Sequence, residues 1–164
     1  MFIIHKGEKG KPVSESAIDN KKIDIFEANI PPDNVIFGGR ILNLVNDLAH
    51  KVAKKHSDSK CLTIGIDFIR YYSLIKKNDI LLAYASVNKV WGDVVEVGVK
   101  VIAEDFRLLE EKKILSAYFT FNAIDENQNI INIKTAIPET KIQKYRYLQA
   151  DKRKAIRDKR LKNL

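Results

Sequence analysis

Gly38 and Gly39 stand directly before an apolar run that repeats at helical spacing, Ile41, Leu42, Val45, Leu48, Ala49, Val52 and Ala53. The first N–H groups of a helix have no acceptor inside it and face outward, where the helix dipole favours negative charge. Such donors suit an anion or an oxygen that gains charge during a reaction; a plain glycine turn would read the same way. Asn46 falls on the apolar face with Leu42, Ala49 and Ala53, and a polar side chain buried there without a partner costs roughly 1–3 kcal/mol. It is therefore expected either to hydrogen-bond inside a core or to face a site. Asp47 lies about 100° round the helix, on the polar side with Asn43, His50, Lys51 and Lys54. Asp33 and Asn34 follow Pro31-Pro32 in a turn. His56, close to a helix C-terminus, is expected to be solvated, and neither His nor Cys is spaced to join it around a metal, so no metal site is expected.

These residues need a frame. A short strand is expected at Lys22–Phe26, then the turn, then a long helix from Gly38 to about His56. Four alternating strands follow: Cys61–Tyr72, Asp79–Val90, Asp93–Asp105 and Lys112–Asp125. The short links between the last three pairs predict antiparallel neighbours. Nothing else in the chain can bury the helix, so the sheet must cover it, giving an α+β domain over 22–138. Residues 1–21, with Gly7, Gly10, Pro12, Ser14 and Ser16 among lysines, are expected as a loose arm. Residues 139–164 are expected as a basic helix with a thin apolar stripe of Ile142, Tyr145, Leu148, Ala155, Ile156 and Leu161. It either lies solvated on the domain or offers an anion-binding surface. The long apolar strands 94–102 and 115–123 are expected to leave an edge through which the chain self-associates.

The 164 residues carry a formal charge of +8, with 45% hydrophobic and 30% charged residues. That profile fits one soluble domain and favours anionic partners. The single cysteine, Cys61, allows no disulfide within the chain, and no apolar run has signal-peptide or membrane-spanning length, so a cytoplasmic protein is expected. A nucleic-acid-binding function ranks last, because only Tyr145 and Tyr147 stand beside the basic residues for base stacking.

Three motifs carry a resemblance. They are Phe37-Gly38-Gly39 heading a helix that ends Lys55-His56; Thr63 with Asp67 in the next strand; and Ser116-Ala117-Tyr118-Phe119-Thr120-Phe121-Asn122-Ala123-Ile124-Asp125-Glu126-Asn127. In this order, over residues 24–140, they resemble the hotdog-fold acyl-CoA thioesterases. The resemblance implies an antiparallel sheet curled around the central helix, pairing of two domains into one sheet, and assembly of dimers into hexamers. It implies hydrolysis of acyl-CoA to fatty acid and coenzyme A at the dimer interface, with no cofactor, since coenzyme A is part of the substrate. Backbone N–H groups of Gly38 and Gly39 would hold the thioester oxygen. Phe37, Thr63 and Asp67 would line the substrate site, with Lys89, Trp91 and Gly92 in the coenzyme A groove, although Trp91 equally suits core or interface.

The sequence also departs from the family. Asn46 stands where the family has the helix-borne acid, and a carboxamide is not a general base. The family's upstream asparagine, contributed by the partner chain, falls near Pro31, with Asp33 and Asn34 close by. The usual proline and glycine of the next turn fall on Leu74 and Asn78. Three alternatives stand: Asp33, Asp47 or Asp67 is the base; the chain binds acyl-CoA without hydrolysing it; or Asn46 is an engineered replacement of aspartate.

Overall fold

The computed structural model describes residues 9–23, 38–76, 79–105 and 110–164. One antiparallel sheet wraps a central helix, as the resemblance implied. In chain order the elements are β1 (Lys11–Pro12), a 3-10 turn (Val13–Glu15), β2 (Ile18–Ile23), α1 (Gly38–Ser57), β3 (Lys60–Tyr71), β4 (Ile80–Trp91), β5 (Val94–Asp105), β6 (Glu110–Ile124), β7 (Ile130–Ile131), β8 (Ala136–Ile137) and α2 (Lys141–Lys162). The sheet order is β2-β4-β5-β6-β3, with β7 added to the end of β6. β1 pairs in parallel with β8 in a separate two-stranded patch.

The core follows from two periodicities meeting. Ile41, Val45, Leu48, Ala49, Val52 and Ala53 of α1 are buried against alternate residues of three strands: Leu81, Ala83, Ala85 and Val87; Val95, Val97, Val99 and Val101; and Leu115, Ala117, Phe119 and Phe121. A sheet residue alternates face at each step, so these rows line one face and their neighbours the other. The β4–β5 hairpin turns at Gly92, whose φ of +62° suits glycine. α2 begins at a capping box, in which Thr140 and Gln143 satisfy each other's backbone N–H groups.

The structure corrects three expectations. From Lys11 onward the arm is folded: Val13 and Ser16 are buried, and β2 pairs with β4. The Lys11 ammonium donates to the Lys55 carbonyl and to Asp58, tying this segment to the end of α1. β2 was hidden because most of its side chains, Asp19 to Lys22, are exposed and polar. The strand expected at Lys22–Phe26 is thus β2 at Ile18–Ile23, and residues 24–26 lie outside the described ones. Second, β5 and β6 are interior strands; among the described residues the end strands are β2 and β3, and on β3 Leu62 and Ile64 are each 52% exposed.

Third, His56 is fully buried. Its Nε2 donates to the Lys134 carbonyl at 3.2 Å, which leaves Nδ1 to accept from the Ser16 hydroxyl at 3.4 Å. Burial pushes the imidazole below its ordinary range. The sequence could not show that Ser16 and Lys134 close over the end of α1. α2 lies over the outer face of the sheet with its apolar stripe in solvent: Ile142, Tyr145, Leu148, Ile156 and Leu161 are all exposed, and Ala150 is its buried residue.

Candidate active site

Two contacts fix how α1 lies on the edge strand. The Tyr71 hydroxyl donates to the Gly38 carbonyl at 2.8 Å, and His50 Nε2 donates to the Cys61 carbonyl at 2.8 Å. The start of α1 therefore meets the end of β3, and the middle of α1 meets its beginning. A Cβ on Gly38 would sit 3.0 Å from the Tyr71 ring, so any larger residue there would press on that ring. Burial raises the Tyr71 phenol above its ordinary range, so it remains a neutral donor. Tyr71 carries no signal in the sequence that tells it apart from Tyr72.

Asn46 lies between these two anchors on α1. Its carboxamide oxygen is buried and has no hydrogen-bond partner among the described residues. A buried oxygen without a donor is costly, and such atoms cluster where a ligand or partner completes the site. Asp47 is exposed on the opposite face, as its helical position predicts. Asp33, Asn34 and Phe37 lie outside the described residues, whereas Gly38 and Gly39 form the first turn of α1.

The paired motif on β3 is split by a bulge. Thr63 pairs with Phe121, a core residue, whereas Gly65 pairs with Thr120 and Asp67 with Tyr118 on the outer face. Four residues apart on a regular strand would share a face, but the extra residue between Thr63 and Gly65 reverses the alternation. Thr63 therefore belongs to the α1 side and Asp67 to the outer side. There Asp67 is bound by Arg157 of α2. A carboxylate held by a guanidinium and facing away from α1 does not share a site with Asn46, which removes Asp67 from the helix-side group.

Lys89 and Trp91 are also on the outer face, under α2. Asp151 accepts from the Lys89 ammonium at 2.6 Å and from the Trp91 indole at 3.0 Å, and the Lys89 ammonium lies 4.1 Å from the Tyr147 ring centroid. Gly92 is the adjacent hairpin turn. In this protomer Lys89 and Trp91 hold α2 and are not brought together with Asn46.

The strongest polar cluster was not anticipated. Glu96 of β5 is fully buried on the outer face. It accepts from Asn88 at 3.0 Å, from Arg153 at 2.8 and 3.1 Å, and from Arg157 at 2.9 Å. In the sequence Glu96 reads as the solvent side of an alternating strand; its partners lie more than fifty residues away on a helix that reads as solvated. No described group of His, Cys, Asp and Glu is arranged to hold a metal ion, and no described helix is long and apolar enough to cross a membrane.

Known proteins share this fold. The thioesterase superfamily profile matches residues 33–110. Protein VdlD of Helicobacter pylori is 32% identical over 125 residues, covering 76% of this chain and 71% of that protein. An acyl-CoA hydrolase from Staphylococcus aureus, solved with butyryl coenzyme A, coenzyme A and coenzyme A disulfide, is 25% identical, with a TM-score of 0.87 and 93% of each chain covered. That hydrolase has also been solved with an aspartate and with a threonine replaced by alanine. An apo hexameric acyl-CoA thioesterase is 26% identical, with a TM-score of 0.86 over 92% of this chain and 96% of the other. The chain belongs to the hotdog-fold acyl-CoA thioesterase family, within the thioesterase superfamily.

Proposed function

We propose that this protein binds acyl-CoA and hydrolyses its thioester at a site completed by a second copy of the chain. The observation that carries the reading is the carboxamide oxygen of Asn46, buried and without a partner among the described residues, on the face of α1 that meets a sheet edge. Family membership and the coenzyme A ligands of the S. aureus hydrolase support the substrate class. β3 supplies the means of pairing, because its outer edge pairs with no strand among the described residues and Leu62, Ile64, Ile66 and Ile69 are exposed along it. Edges of this kind are normally covered. Two copies joined along β3 would bring two α1 helices side by side. The hexameric relative supports further assembly of such dimers.

In this reading the N–H groups of the Gly38-Gly39 turn take the thioester oxygen as charge develops on it. Asn46 and Thr63 position the attacking water, with Asp33 or Asn34 entering from the partner. The base is Asp33, since Asp47 is exposed on the side of α1 away from Asn46 and Asp67 is engaged by Arg157. One specific observation favours a second reading, a binder without hydrolysis: residue 46 is a carboxamide and cannot take a proton from water.

Thiol release from a panel of acyl-CoA esters, run on this chain and on Asn46→Asp, tests both readings. Turnover by the chain itself supports hydrolysis with the base elsewhere. Turnover only by Asn46→Asp identifies a thioesterase scaffold without its base. Saturable coenzyme A binding with no thiol released by either protein replaces the proposal with the binding reading.

A further inference from the structure

The outer face of the sheet carries a hollow of about 260 Å³, separated by the sheet from α1 and Asn46. Its origin is visible in the strand register. Tyr84, Lys100 and Ser116 form one cross-strand row, and Ser86, Gly98 and Tyr118 the next. The second row has two small residues side by side, so the sheet surface dips there. A Cβ on Gly98 would meet the Asn88 carboxamide at 2.7 Å, so the floor has no room for a larger residue. Tyr72, Lys113 and Arg146 of α2 help form the walls.

The cations of this hollow differ from the others on the outer face. Lys89, Arg153 and Arg157 are all matched to carboxylates. Lys100, Lys113 and Arg146 line the hollow and form no ion pair among the described residues, and Asp19 is the single carboxylate in its lining. Lys113 lies 4.1 Å from the Tyr72 ring centroid and Lys100 4.7 Å from that of Tyr84, which holds both ammonium groups at the rim. The hydroxyls of Ser86 and Tyr118 have no hydrogen-bond partner among the described residues. The Tyr72 hydroxyl shares a hydrogen bond of 3.0 Å with Ser116; that bond and the Lys113 ammonium draw the phenol below its ordinary range.

We propose that this hollow binds a polyphosphate group of a small molecule, held by Lys100, Lys113 and Arg146 with the Ser86 and Tyr118 hydroxyls as further donors. Three unmatched cations call for a multiply charged anion, and hydroxyl donors suit phosphate oxygens. Two sources share this chemistry: a free phosphorylated metabolite, and the phosphates of coenzyme A. The inference stands apart from hydrolysis, since binding is read without turnover.

Calorimetric titration of the full chain with pyrophosphate is the test. Saturable binding is expected, weakened by added salt, and about tenfold weaker in each of Lys100→Gln and Arg146→Gln, the loss of one charge-assisted hydrogen bond. Unfolding midpoints of both variants should stay close to the parent's, because neither side chain makes an ion pair among the described residues and the Lys100–Tyr84 contact is at the exposed rim. If ADP displaces pyrophosphate and butyryl coenzyme A does not, the ligand is a free phosphorylated metabolite. If both displace it, the coenzyme's phosphates are the ligand. No saturable binding, or equal affinity in the parent and both variants, overturns the proposal. Thiol release is unaffected by that result, so failure here and failure of the hydrolase reading remain separate.

Discussion

Replacing Glu96 with alanine should release α2 from the sheet. The helix has 22 residues and only Ala150 is buried, so apolar burial contributes little to its docking. Its hold comes from Asp151 on Lys89 and Trp91, and from Arg153 and Arg157 on Glu96. Glu96 is fully buried, and the two arginine side chains are 13% and 17% exposed, so solvent screens this cluster little. Truncating one partner of such a pair costs about 3–5 kcal/mol. The lower end applies here, because Arg157 keeps Asp67 and Arg153 keeps its position 3.9 Å from the Tyr118 ring centroid. About 3 kcal/mol corresponds to about a 100-fold shift in the docking equilibrium. Hydrogen exchange of the amides in 141–162 should accelerate by about that factor in Glu96→Ala, while amides in β5 and β6 away from position 96 change far less. Arg153→Ala should reproduce most of the effect, and combining the two should add little, because they remove the same interaction. Unchanged protection of α2 in Glu96→Ala would refute the reasoning, since some other contact would then hold the helix.

Three further outcomes are expected. Burial lowers the His56 imidazole below its ordinary value of 6.5, so the unfolded chain binds more protons than the folded one. Stability should therefore fall as pH drops below about 6.5, with this group contributing at most about 1.4 kcal/mol per pH unit; a urea-midpoint gap between parent and His56→Gln that does not vary with pH would contradict it. A charge at the centre of the free edge, Ile64→Lys, should convert the assembly to monomer by sedimentation with the fold intact by circular dichroism, and an unchanged mass would show that copies meet elsewhere. Gly39→Pro, which removes that residue's backbone N–H in the first turn of α1 where proline is tolerated, should lower turnover by about 10²–10³, the cost of one lost oxyanion donor, with little change in melting temperature; normal turnover would remove the α1 N-terminus from the site.

The central helix and four long strands could be read from the sequence because each carries its own period, and the face of α1 that is buried is the face its spacing names. Asn46 was legible for the same reason: it is a polar residue on an apolar stripe. What could not be read depended on contacts distant in sequence. Thr63 and Asp67 look like neighbours on one face, and the bulge between them, which no composition marks, puts them on opposite sides of the sheet. Glu96 reads as a solvent position, and Arg153 and Arg157 as residues of a solvated helix; each has its role only through the other. His56 was misplaced because its partners, Ser16 and Lys134, come from segments that look irregular.

The cluster around Glu96 also bears on the order in which the molecule can be completed. During synthesis β5 leaves the ribosome well before Arg153 and Arg157. Until they arrive, the nascent sheet carries an acid on its outer surface that has Asn88 as its nearest partner and water for the rest. Closing that surface is the task of a segment made later, α2, and the same segment reaches Asp67 on the edge strand where two copies are proposed to meet. Maturation of the sheet surface and readiness of that edge would then be reached in one late step, after translation of α2, rather than gradually along the chain.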